Sequence, residues 1–133
     1  MENQKEPRTY NRNFGEAVKN AFHGIGYTIT SQKNSKVHLI LAAVAVLIGI
    51  YLGLSKMEWI FVWVAILFVF FAELVNTAIE TAVDLVTQNY HDKAKIAKDI
   101  GAGAVVIASI NAIVIAYFVF FDKIVVILQE GIK

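Results

Sequence analysis

Polar and apolar positions along this chain separate into long blocks. Leu39 to Leu54, Trp59 to Ala72 and Ile100 to Phe121 are apolar runs that no charge interrupts. At about 1.5 Å per residue, the last of them is long enough to cross a hydrocarbon core about 30 Å thick. The first gains length from Val37 and His38, and the second borrows from the polar segment that follows it. The pattern predicts an all-α integral membrane protein with three transmembrane helices, at about 37–55, 59–87 including a cytoplasmic extension, and 99–121.

Ahead of these blocks the periodicity changes. Phe14, Ala17, Val18, Ala21, Phe22, Ile25 and Ile29 recur at three- and four-residue steps, with Glu16, Lys19, Asn20 and His23 on much of the opposite side. This predicts an amphipathic helix over about 13–31, with Gly24 and Gly26 as irregularities. Such a helix either lies on the membrane surface or packs on the other helices. Residues 1–12 are polar, hold the only proline, Pro7, and read as a flexible cytoplasmic tail ahead of a single membrane domain over 13–133. Gln32 to Lys36 reads as a polar connection, Lys56 and Glu58 as an outer hairpin, and Thr87 to Asp99 as a polar loop. Trp59 and Trp63 stand where interfacial anchors belong, while Gly101, Gly103, Ala104, Ala108 and Ala112 permit close helix approach. Asn111 reads as a polar contact between helices, and His38 as an interfacial residue.

Composition agrees: 57% of residues are hydrophobic and 17% charged. A net charge of +1 is too small to suggest a nucleic-acid partner, and the absence of cysteine excludes disulfide and thiolate chemistry. The distribution of charge says more. Lys5, Arg8, Arg12, Lys19, Lys33 and Lys36 precede the first crossing, and Lys93, Lys95 and Lys98 lie between the second and third. The positive-inside bias therefore predicts a multi-pass protein of the cell membrane, with the N-terminus and second loop cytoplasmic and the C-terminus outside. The first thirty-six residues lack a compact apolar core of the signal-peptide kind, so the chain is expected to insert whole.

Against this background one stripe stands out. Glu73, Asn76, Glu80 and Asp84 follow at steps of three, four and four, which keeps them within roughly 60° of arc on a helix. With the crossing entered near Trp59, Glu73 lies about 21 Å deeper, and Glu80 and Asp84 emerge about 10 to 17 Å beyond it. A carboxylate in or near hydrocarbon is costly, so the series needs a partner, a metal, a proton or a substrate. Desolvation raises a carboxylate's affinity for a proton, which suits the deeper glutamate to act as a general base on an alcohol. One or two carboxylates at the wetter end suffice for a magnesium ion that also keeps water and substrate phosphates. Lys98, beside Asp99, can neutralise a polyphosphate. The plainer reading is a structural network in which these carboxylates satisfy cations on neighbouring helices.

No phosphate loop, HExxH, GxSxG or cysteine cluster is present. ELVNTAIETAVDLV, then NYH, then AKIAKDIGAGAVV, however, resembles the signature of the prokaryotic diacylglycerol kinase family, and most of all its Gram-positive undecaprenol kinase branch. The resemblance runs from about Phe14 to Phe121 and is most specific between Glu73 and Val105. It implies a membrane lipid kinase that uses ATP and Mg2+, assembled as a homotrimer with active sites between subunits. Glu73 matches the catalytic base, and Glu80 a ligand of the magnesium that bridges the phosphates. Asn76 and Asp84 match supporting positions, Asn89, Tyr90 and His91 a stretch beside the nucleotide, and Lys98 and Asp99 a pair that contacts ATP.

Two positions depart from the family pattern. Where many members carry a glutamate as second metal ligand, this chain has Gln32, whose carbonyl can ligate a hard cation without bringing charge. Asn20 stands where an aromatic residue is common. The expected reaction is phosphoryl transfer from ATP to a membrane alcohol, undecaprenol first and diacylglycerol as the alternative. A non-enzymatic membrane protein whose stripe lines a polar path is the reading from a different class, and ion flux without ATP consumption would distinguish it.

Overall fold

A computed structural model describes residues 13–130, so the expected tail over 1–12 lies outside the described residues. Four helices follow one another: α1 (Phe14–Ser31), α2 (Lys33–Tyr51), α3 (Lys56–Val86) and α4 (Asp92–Glu130). Among the described residues there is no strand. The last three helices are each long and apolar enough to cross a membrane.

Short polar devices set the helix ends. Asn13 caps α1 by accepting a hydrogen bond from Glu16 N at 2.9 Å. The chain passes through Gly24 and Gly26 without a break, so the expected irregularities are absent; the i−4 hydrogen-bond ladder simply continues. Between α1 and α2 only Gln32 leaves helical geometry, at φ −98° and ψ 126°. The polar connection expected over Gln32 to Lys36 is therefore a single residue. Gly53, at φ 62°, turns the chain between α2 and α3 in a backbone region open mainly to glycine. Ser55 and Glu58 then close a reciprocal capping box, which starts α3 at Lys56, before Trp59.

The expected loop over Thr87 to Asp99 is also mostly helix. The Thr87 hydroxyl accepts from Asn89 N at 3.2 Å to shape a tight turn, and His91 Nδ1 accepts from Lys93 N at 3.2 Å. His91 thus satisfies one of the open amides at the start of α4. With Lys95 paired to Asp99 one turn along, the polar segment gains a helical start that charge content alone conceals. At its other end α4 runs on past Phe121 to Glu130, and Lys123 meets Glu58 at 3.4 Å near the start of α3.

Packing centres on α3. Val62, Ala65, Val69, Ala72, Glu73, Asn76 and Thr77 are its buried residues, a stripe at three- and four-residue steps. Val69 and Ala72 pack against Val105 and Ala108 of α4, where small side chains bring the two backbones together. Helix α2 lies along the other side of this pair and buries only Ser35 and Gly49. Helix α1 buries only Thr28 and leaves Phe14, Val18, Phe22 and Ile25 exposed along one face. That exposed apolar face fits a helix resting on a membrane surface better than one packed on its neighbours.

Candidate active site

The carboxylate stripe of α3 meets a polar triplet at the start of α2. Gln32, Ser35 and His38 recur every three residues, and because α2 and α3 run antiparallel they oppose Glu80 and Glu73 in order.

At the deep end Glu73 is only 1% exposed, the most completely buried charged residue among those described. Ser35 Oγ donates to its Oε2 at 3.3 Å, and Ser35 is itself fully buried. His38 Nε2 lies 3.3 Å from Oε1, off the line of a hydrogen bond, so Oε1 receives none. Buried polar groups normally find partners, and one open oxygen on a sealed carboxylate is an opening for a substrate proton. His38 was expected at the membrane interface; whatever its depth, the helical start of α2 turns it onto Glu73.

Seven residues along, Glu80 carries a fork of amides. Gln32 Nε2 donates to Oε2 at 2.8 Å, and Asn76 Nδ2 donates to Oε1 at 3.1 Å. Asn76 Oδ1 is buried without a hydrogen-bond partner. It faces Gly101 of α4, where an added Cβ would stand 2.6 Å from it. Gly101→Ala is accordingly expected to displace Asn76 from Glu80 and to lower turnover by about 10- to 100-fold, since small misplacements of a reacting constellation cost that much. Steady-state assays of the purified variant check this.

The wet end is held by ion pairs. Lys98 Nζ donates to Asp84 Oδ1 at 2.6 Å across the α3–α4 turn, while Asp99 pairs with Lys95 at 2.6 Å. Lys98 and Asp99, adjacent in sequence, therefore serve different partners. Such exposed pairs contribute little stability and open readily to a stronger ligand. Asn89 and Tyr90 are exposed in the turn, His91 caps α4, and Asn20 is exposed on α1, so these four stand apart from the buried cluster. Asn111 is exposed on α4.

An apolar cavity of about 290 Å³ opens along α2, α3 and α4, lined by residues such as Leu41, Ala45, Ile66, Phe70 and Ile113 and reaching His38. Its other polar lining residue, Ser109, gives its hydroxyl to Val105 O at 2.9 Å. Ser109 thus has no hydroxyl hydrogen left for a ligand, whereas the His38 ring is not committed within its own helix and touches both cavity and carboxylate.

Among the described residues no group of three or more His, Cys, Asp or Glu could hold a metal. A hard cation with few protein ligands requires less: the Glu80 carboxylate, flanked by the Gln32 and Asn76 amides, would offer an all-oxygen donor set once those amides turn their carbonyls from their present NH2-first contact, and magnesium accepts such a set when phosphates complete its shell. The residues present fit the ion on those terms. Ser35 escaped the sequence reading and His38 was read only as interfacial; the signal that marks them is the three-residue recurrence of Gln32, Ser35 and His38.

Comparison with known proteins adds an independent finding. The family model described as prokaryotic diacylglycerol kinase matches residues 19–120. The undecaprenol kinase of Bacillus subtilis (strain 168) is 34% identical over 90% of this chain and 97% of its own length. A diacylglycerol kinase of Synechocystis is 36% identical over 71% of this chain and 55% of its own length. The diacylglycerol kinase of Escherichia coli K12 is 34% identical over 53% of this chain and 57% of its own length.

Proposed function

The chain belongs to the prokaryotic diacylglycerol kinase family and is a membrane lipid kinase, and from that premise we propose that it phosphorylates undecaprenol at the expense of ATP, with Glu73 as general base. The non-enzymatic polar path falls with family membership. The apolar cavity reaches His38, which touches the buried Glu73, and this juxtaposition carries the proposal. An alcohol whose hydroxyl ends a hydrocarbon chain fills such a cavity and delivers its one polar group to the one place that receives it. Diacylglycerol brings two ester carbonyls as well, and the cavity offers them no further donor. Near full-length similarity to the Bacillus undecaprenol kinase supports the same choice.

Glu73 Oε1 takes the hydroxyl proton as the alcohol oxygen attacks the γ-phosphorus, while Ser35 holds Oε2 and keeps the carboxylate facing the substrate. Glu80, with the amide oxygens of Gln32 and Asn76, is the set that would hold Mg2+. The ion, when bound, neutralises phosphate charge as it develops. Lys98, released from Asp84, turns its ammonium to the polyphosphate, and the exposed Asn89 to His91 turn and Asp99 border the nucleotide. Asp84, once parted from Lys98, and Asn20 on the surface helix complete the nucleotide side.

In this reading the N-terminus and the α3–α4 turn face the cytoplasm and the end of α4 lies outside. The whole of 13–133 acts as one kinase domain, and three copies assemble so that neighbours close each site. Purified protein assayed with [γ-32P]ATP on both lipids tests the substrate. Undecaprenol is expected to be turned over at least about tenfold faster than diacylglycerol, a preference of about 1.4 kcal/mol. Strong activity on diacylglycerol with none on undecaprenol would reverse the choice.

A further inference from the structure

A base sealed from water has to shed one proton per turnover, and a titratable side chain stands beside Glu73. Ser35 occupies Oε2, so Oε1 is the oxygen that accepts the hydroxyl proton. His38 Nε2, a titratable atom, lies 3.3 Å from Oε1. The His38 side chain is 20% exposed against 2% for that of Glu73. It therefore links the buried carboxylate to the boundary of the protein. We propose that His38 carries away the proton that Glu73 takes from the lipid hydroxyl. The inference rests on the assignment of Glu73 as base.

The steps balance. The alcohol O–H bond breaks and its proton goes to Oε1, while the oxygen forms its bond to phosphorus and the bond to the leaving ADP oxygen breaks. A neutral imidazole with its hydrogen on Nδ1 presents a lone pair at Nε2. The proton passes from Oε1 to Nε2, and the imidazolium releases a proton to interfacial water, which returns both groups to their starting state. The absence of a hydrogen bond between Oε1 and Nε2 in the resting geometry agrees with a gap that awaits this proton. Acting through Glu73, His38 is a positioning residue for the proton rather than a catalytic one.

His38→Ala and His38→Gln, assayed as full-length protein with undecaprenol and Mg-ATP, test this. His38→Ala is expected to lose about tenfold or more in kcat, with the lipid KM changed less than about twofold, as for loss of proton transfer. Free imidazole added to the assay enters the space left beside the cavity and restores a large part of the lost rate. His38→Gln fills the site yet neither accepts nor releases the proton, so it stays slow. Undiminished kcat in His38→Ala, full activity in His38→Gln, or a loss that imidazole fails to relieve would each overturn the relay. Glu73→Gln separates the two ideas: if it is inactive while His38→Ala is unimpaired, only the relay fails, whereas a fully active Glu73→Gln removes the base and the relay together.

Discussion

Glu73→Gln is expected to reduce lipid phosphorylation by about 10²- to 10⁴-fold, the range associated with loss of a positioned general base. The substitution changes almost nothing else. Glutamine has the same shape, and its carbonyl can still accept the Ser35 hydroxyl in the place of Oε2. Its amide then faces His38 Nε2, and a hydrogen bond can form where the carboxylate makes none. Packing against α4 by Ala72 and Val69 is untouched, so thermal unfolding and the size of the detergent-solubilised assembly should stay those of the parent protein. A folded protein with almost no turnover, read by lipid kinase assay beside those controls, is the expected result. Substantial turnover in a folded Glu73→Gln protein would assign the base elsewhere.

Glu80→Ala is expected to be as severe, for a different reason. Its carboxylate is the acceptor for both Gln32 Nε2 and Asn76 Nδ2, and removal leaves the two amides without it. It also strips the only carboxylate from the oxygen donor set proposed for Mg2+. Turnover should fall by about 10³-fold or more, a loss of about 4 kcal/mol of transition-state stabilisation. Binding of Mn2+ as a magnetic stand-in for Mg2+, measured with nucleotide present, should weaken in parallel. Gln32→Glu provides the complementary measurement. A second carboxylate beside Glu80 repels it in a chelator-containing buffer and should lower the unfolding temperature there, with recovery on addition of Mg2+. If Glu80→Ala keeps Mn2+ affinity, Glu80 is a structural acceptor for amides and not a metal ligand.

Charge-free runs made α3 and α4 legible, because only helices and closed barrels span hydrocarbon and a long unbroken apolar block lacks the alternation of a barrel strand. The register of Glu73, Asn76, Glu80 and Asp84 followed from helix geometry alone. Their partners did not. Gln32, Ser35 and His38 are polar residues interspersed with Lys33, Asn34 and Lys36, and read singly they resemble a connection. Only the antiparallel pairing of α2 with α3 sets that triplet against the stripe, and pairing is a tertiary fact. The start of α4 was hidden for a related reason. Between Asp92 and Asp99, helix is secured by local contacts, the His91 cap and the Lys95–Asp99 pair, which average polarity does not register. Lys98 was marked as a cation for phosphate, and its present hold on Asp84 depends on the tight turn formed at Thr87.

Gln32 is both the sole non-helical residue between α1 and α2 and the donor that reaches Glu80. Between the two helices the fulcrum and the working tip are thus the same residue. Rotation of α1 against α2 is a change in the backbone torsions of Gln32, and it swings an amide across a carboxylate at the reaction centre. The angle between α1 and α2 and the hydrogen bond on Glu80 are therefore set by a single residue.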